Sequence, residues 1–117
     1  CNFGYLKNGK TYAGHTAHEE QVVELAKPFK GYKFWHRYSD AQIQSLRDLI
    51  LYIANRDNIN VREGLPALIK EKGADAFEWN QDAYYGLVKG LWSHSNTNKG
   101  KSDMFPQEEL LTMLTEL

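Results

Sequence analysis

The strongest hydrophobic pattern lies in the middle of the chain. Ile43, Leu46, Leu49, Ile50 and Ile53 recur at the spacing of one helix face. Ser39-Asp40-Ala41-Gln42 precedes them in the form of a capping box, where the Ser hydroxyl and Gln amide take up free N–H groups of the first turn. The pattern predicts a helix from about Asp40 to Arg56, stopped at Asp57-Asn58, with one buried stripe. A shorter helix is expected over residues 64–72, with Pro66 in its first turn and Gly73 as its stop. Gln81 to Tyr85 reads as a turn of helix. A last helix opens at Pro106 and runs to about Thr115, with Leu110, Leu111 and Leu114 inward and Glu108-Glu109 placed well for the helix dipole.

Extended segments are shorter and less regular. Asn8-Gly9, between Tyr5-Leu6 and Thr11-Tyr12, is a tight-turn signal. Gln21 to Ala26 has the β-branched content of a short strand, and Pro28 is expected to break it. Residues 29–38 are dense in aromatics. Leu87 to Trp92 reads as a mostly buried strand that delivers Ser93 and His94 at its end, and residues 95–103 as a polar loop. This order predicts an α+β fold, a mixed central sheet flanked by helices.

Composition narrows the function classes. With 117 residues the chain is long enough for one domain, and 42% apolar with 25% charged residues is an ordinary globular balance. The net charge of −1 gives no basic footprint for nucleic acid. No apolar run approaches the ~20 residues of a membrane span, and no signal peptide is visible. Cys1 is the single cysteine, so no disulfide forms within the chain. The opening Cys1-Asn2-Phe3-Gly4 reads as the end of a strand running into a turn, which leaves two readings: a processed protein, or the C-terminal part of a longer domain. An N-terminal Cys can also act as a nucleophile, though no base partner is assignable from sequence.

Candidate chemistry concentrates near the C-terminus. His94, delivered by the expected strand, offers an imidazole nitrogen, and Asp103, after a polar loop, offers a hard oxygen; both are good zinc donors. Lys101 would place positive charge where an oxyanion develops. On spacing alone the bland alternative, a surface loop with solvated charges, carries more weight, because a catalytic zinc normally takes three protein ligands.

The same residues carry a family resemblance. Ser93-His94-Ser95-Asn96, then Lys101-Ser102-Asp103, then Phe105 and a helix resembles the end of the type 2 N-acetylmuramoyl-L-alanine amidase domain. That family includes bacteriophage amidases and animal peptidoglycan recognition proteins. Tyr38-Ser39-Asp40-Ala41-Gln42 is similar to the opening of its long helix, and Cys1-Asn2-Phe3-Gly4 to the end of one of its strands. The resemblance implies a zinc hydrolase that cuts peptidoglycan between N-acetylmuramic acid and L-alanine, as a phage lysin or another enzyme acting on the bacterial cell wall. It implies His94 and Asp103 as Zn2+ ligands and Lys101 as the catalytic residue that stabilises the transition state. Asn96 and Thr97, beside His94, are the candidates for substrate contact. The family's first zinc His and its acidic base precede the point matching Cys1, so the resemblance covers the C-terminal part of a domain, with residues 62–85 as an apparent insertion. The missing part would be a partner of this chain. The alternative is a non-catalytic peptidoglycan-binding module of the same fold.

Other residues have plainer readings. His15-x-x-His18 has a metal-binding spacing only on a helix, and Gly14 argues against one there. His36 sits among aromatics and reads as packing. Tyr32, Phe34, Trp35 and Tyr38 can stack on sugars, but core packing is the default for at least half of them. Trp79, Tyr84 and Tyr85, in the apparent insertion, suggest a lid over the cleft.

Overall fold

A computed structural model describes residues 4–117. The readings made on Cys1-Asn2-Phe3 therefore lie outside the described residues. The chain opens with a hairpin of strands β1 (Leu6–Lys7) and β2 (Lys10–Thr11). Asn8 and Gly9 form its turn, both in the left-handed region (φ 55° and 75°) that a two-residue hairpin turn demands. A second antiparallel hairpin pairs β3 (Val22–Phe29) with β4 (Tyr32–His36). Helices α1 (Asp40–Asp57), α2 (Leu65–Lys72), α3 (Gln81–Tyr84), α4 (His94–Thr97) and α5 (Glu108–Thr115) follow.

The fold is α+β, but its sheets differ from expectation. Among the described residues there is no mixed central sheet; the two hairpins are separate two-stranded antiparallel sheets. Pro28 does not stop β3. The ladder is irregular between Glu24 and Phe29, and an irregular stretch tolerates a residue with no N–H to donate.

The Leu87–Trp92 segment is not a strand. It keeps one parallel bridge, Gly64 to Leu91, and Leu87 is 70% exposed. Two glycines break the run. Gly86 and Gly90 take φ of 68° and 121°, outside extended geometry. At Gly90 a Cβ would sit 2.4 Å from the Glu63 carbonyl oxygen, so the close approach to residues 63–65 requires glycine. The Trp92 indole N–H then donates to the Val88 carbonyl at 2.9 Å and folds the segment back on itself.

The core has an aromatic half and an aliphatic half. Phe105 lies between Trp35 and Tyr38, with ring centroids 4.9 and 4.6 Å away and planes within 16° of parallel. Trp35 is buried and its indole donates to the Tyr32 carbonyl at 3.0 Å, so this ring serves packing and not sugar stacking. Leu65, Ile69, Leu110 and Leu114 form the aliphatic half, where α2 meets α5, with Phe77 buried in the same core. The α1 stripe is only half covered: Ile50 is buried, Ile43, Leu46 and Ile53 are half-buried, and Leu49 is exposed.

Gln107, fully buried, ties the entry of α1 to the entry of α5. Its carboxamide accepts from the Tyr38 N–H at 2.7 Å and donates to the Tyr38 carbonyl at 3.1 Å. The α1 cap forms as its sequence requires. Ser39 Oγ accepts from Gln42 N at 3.1 Å, and Gln42 Oε1 accepts from Ser39 N at 2.9 Å.

Candidate functional site

The loop expected over residues 95–103 begins as a helical turn. Ser93 caps α4, and Asn96 returns the bond: its Oδ1 accepts from the Ser93 N–H at 3.0 Å and from Ser93 Oγ at 2.7 Å. The other end of the Asn96 amide donates to the carbonyls of Ala76 and Glu78, each at 2.8 Å. Ser95, also fully buried, pins the far end of the loop. Its N–H donates to the Asp103 carbonyl at 2.7 Å, and its hydroxyl reaches the Met104 carbonyl at 3.3 Å. Two residues on, Phe105 locks the chain into the aromatic stack.

These buried contacts bring His94 and Asp103 together. His94 Nδ1 lies 3.0 Å from Asp103 Oδ2, with both side chains about half or more exposed to solvent. The two residues named as metal donors thus meet, although nine positions separate them. Lys101, Ser102 and Asp103 line a groove of about 860 Å³ together with Tyr12, Gln42 and Leu46. Between the pinned ends, Asn98 organises the loop tip, its carbonyl accepting from Lys101 N at 3.2 Å and its side chain from Gly100 N at 2.9 Å.

The donor pair suits a divalent cation in its chemistry. Zinc bonds of about 2.0–2.2 Å at a tetrahedral angle set neighbouring N and O donors roughly 3.4 Å apart, a few tenths of an ångström wider than the observed contact. Among the described residues, no group of three His, Cys, Asp or Glu gathers at one point, so the pair has no third such side chain beside it. His15 and His18 lie in the connection between β2 and β3, where His18 precedes a short 3-10 turn and its N–H donates to Gln21 Oε1 at 3.0 Å. They do not complete the pair.

The candidate substrate contacts divide. Thr97 is half-buried and its hydroxyl donates to the His94 carbonyl at 3.2 Å, so it shapes the same turn. Asn96 is fully buried with both ends of its amide engaged, which places it beneath the site as a support and not on the surface that meets a substrate. This supporting role and that of Ser95 went unread in the sequence. The available signal was Ser93-x-x-Asn96, a capping-box spacing with Asn in place of Glu or Gln.

Tyr38 backs the groove. Burial pushes its phenol up to about 12, and the bond from the Phe105 N–H to its oxygen, 3.4 Å long, opposes that rise weakly. No helix among the described residues is long and apolar enough to cross a membrane. Compared with protein-family models, curated proteins and solved structures, the chain matches none.

Proposed function

We propose that this chain forms part of a zinc-dependent N-acetylmuramoyl-L-alanine amidase that hydrolyses the amide between the lactyl group of N-acetylmuramic acid and the L-alanine of the stem peptide. The observation that supports this reading most is the meeting of His94 and Asp103 at 3.0 Å beside a groove whose wall carries Lys101. The family resemblance of the same residues supplies the substrate.

In this reading His94 and Asp103 hold the zinc, and the third donor comes from outside the described residues. Zinc, when bound, supplies Lewis-acid polarisation of the scissile carbonyl. Lys101 brings an ammonium to the carbonyl oxygen as negative charge develops there, the electrostatic contribution that usually dominates acyl-transfer catalysis. Ser95 and Asn96 hold the donors in place, so the site is set before the substrate arrives. The groove, of ordinary ligand-site volume, takes the muropeptide.

The test is a zinc titration of the chain followed by the imidazole NMR signals, for wild type, His94→Ala and Asp103→Asn. Zinc should shift the His94 ring signals saturably, and each substitution should weaken binding about tenfold or more. With the missing donor and base supplied by the rest of the domain, a parallel digest of purified peptidoglycan should release new α-amino groups with no new reducing sugar. Saturable peptidoglycan binding with neither zinc uptake nor amine release would replace the enzyme with a metal-free binding module.

A further inference from the structure

Tyr84 and Tyr85 present 55% and 62% of their surface to solvent, although the backbone of their turn is hydrogen-bonded. Asn80 caps α3 through its Oδ1, which accepts from Ala83 N at 3.0 Å, and Ala83 is buried beneath the turn. The Tyr84 N–H donates to the Asn80 carbonyl at 2.9 Å and the Tyr85 N–H to the Gln81 carbonyl at 3.0 Å. The rings are therefore exposed because the backbone holds them out. Their planes cross at 84° with centroids 4.9 Å apart, which makes a corner. Trp79 extends it, 5.7 Å from Tyr84.

The corner is joined to the candidate site. The Asn80 N–H donates to the Asn96 carbonyl at 2.9 Å, so α3 stands on the same helical turn that carries His94. Lys99, from the tip of the His94–Asp103 loop, places its ammonium 4.3 Å from the centre of the Trp79 ring. A ligand on the rings would thus lie against the unit that holds the metal donors.

From this geometry we infer that the Tyr84–Tyr85 corner is a saccharide-binding platform. A pyranose with equatorial substituents has a C–H face that stacks on an aromatic ring and a polar edge that needs hydrogen bonds. The corner offers two ring faces at a right angle, and the exposed side chains of Gln81 and Asp82 stand beside it. A flat apolar surface would suit a protein partner better. The Asp82 carboxylate and a net charge of −1 disfavour nucleic acid. That the sugar belongs to a peptidoglycan glycan strand rests on the amidase reading, and the platform then grips the strand beyond the bond that is cut.

The experiment titrates chitotetraose, a peptide-free β-1,4-linked N-acetylglucosamine oligomer, into the chain without zinc and follows backbone and indole NMR signals. Saturable shifts are expected at the Trp79 indole and at residues 84–85. Tyr84→Ser and Tyr85→Ser should each weaken binding about tenfold, the size of one aromatic contact, with thermal melting unchanged. Tyr52→Ser, which removes an equally exposed ring from α1 (62%), should leave binding unaltered. The platform is refuted by absence of saturable shifts, by full binding in both Tyr84→Ser and Tyr85→Ser, by equal loss in Tyr52→Ser, or by shifts that only a stem peptide produces. Because no bond is broken, chitotetraose binding without zinc uptake would sink the amidase reading alone. Zinc uptake without chitotetraose binding would sink the platform alone.

Discussion

Replacing Asn96 with Ala should be one of the most damaging single changes in this chain, although Asn96 touches neither proposed metal donor through its side chain. The substitution strands the carbonyls of Ala76 and Glu78 and the N–H of Ser93, three groups whose bonds to the amide are 2.8–3.0 Å long. Ser93 Oγ can turn to Ser95 Oγ, 2.8 Å away, and so escapes the loss. A buried polar group left without a partner costs about 1–3 kcal/mol. With partial access of water at Glu78, three such groups sum to about 3–4 kcal/mol, against a total stability of about 5–15 kcal/mol. Urea unfolding followed by tryptophan fluorescence measures the loss directly, and thermal melting should fall by about 10 °C or more. Asn96→Asp adds a diagnostic sign. Its carboxyl would face two carbonyl oxygens and be held protonated in the folded state, above the ordinary aspartate value of about 3.9. The folded state then binds more protons than the unfolded one, so stability falls as pH rises past that value. A loss under about 1 kcal/mol for Asn96→Ala, or a flat pH profile for Asn96→Asp, would refute the claim that this amide holds the site together.

Three further outcomes follow from the packing. Gln107→Ala removes both bonds to the Tyr38 backbone and should cost about 2 kcal/mol in urea unfolding, with a weakened near-ultraviolet dichroism signal from the Trp35–Phe105–Tyr38 stack. Gly90→Ala should destabilise by about 3 kcal/mol or more, because the new Cβ collides with the Glu63 backbone at a φ of 121°; a fully stable variant would mean that residues 63–65 and 90–91 do not hold this approach. Tyr38, at about 12 in the folded state and 10.0 unfolded, keeps its proton longer when folded. Its contribution to stability is complete below pH 10 and is lost as pH rises through about 12, so alkaline unfolding should be less steep in Tyr38→Phe.

What the sequence disclosed about this fold tracks the range of the forces involved. The α1 cap and its end at Asp57, the Asn8-Gly9 turn and the Gly73 stop are set by bonds within a few residues, and all were legible. The Leu87–Trp92 segment misled because its composition is that of a buried strand, while Gly86 and Gly90 serve a backbone approach to Glu63 that local pattern does not announce. The candidate site was legible only as residue types in order. That His94 and Asp103 meet depends on Ser95 reaching residues 103 and 104 and on Asn96 reaching residues 76 and 78, contacts that only the folded chain creates. Gln107 escaped for the same reason, since its partner lies 69 residues away.

The double pinning of the His94–Asp103 loop has a consequence for variation. Ser95 closes one end onto Asp103, and the aromatic stack fixes Phe105 just beyond, so the intervening tip carries no burden in bringing His94 and Asp103 together. Closing a longer loop between fixed ends costs little, about 0.6 kcal/mol per doubling of length. The stretch around Asn98 to Gly100 is therefore a natural address for insertion. Residues or a short peptide grafted there would displace Lys99 and Lys101, which belong to the tip, while His94 and Asp103 keep their spacing, so length changes at this tip separate what the two lysines do from what the pair does.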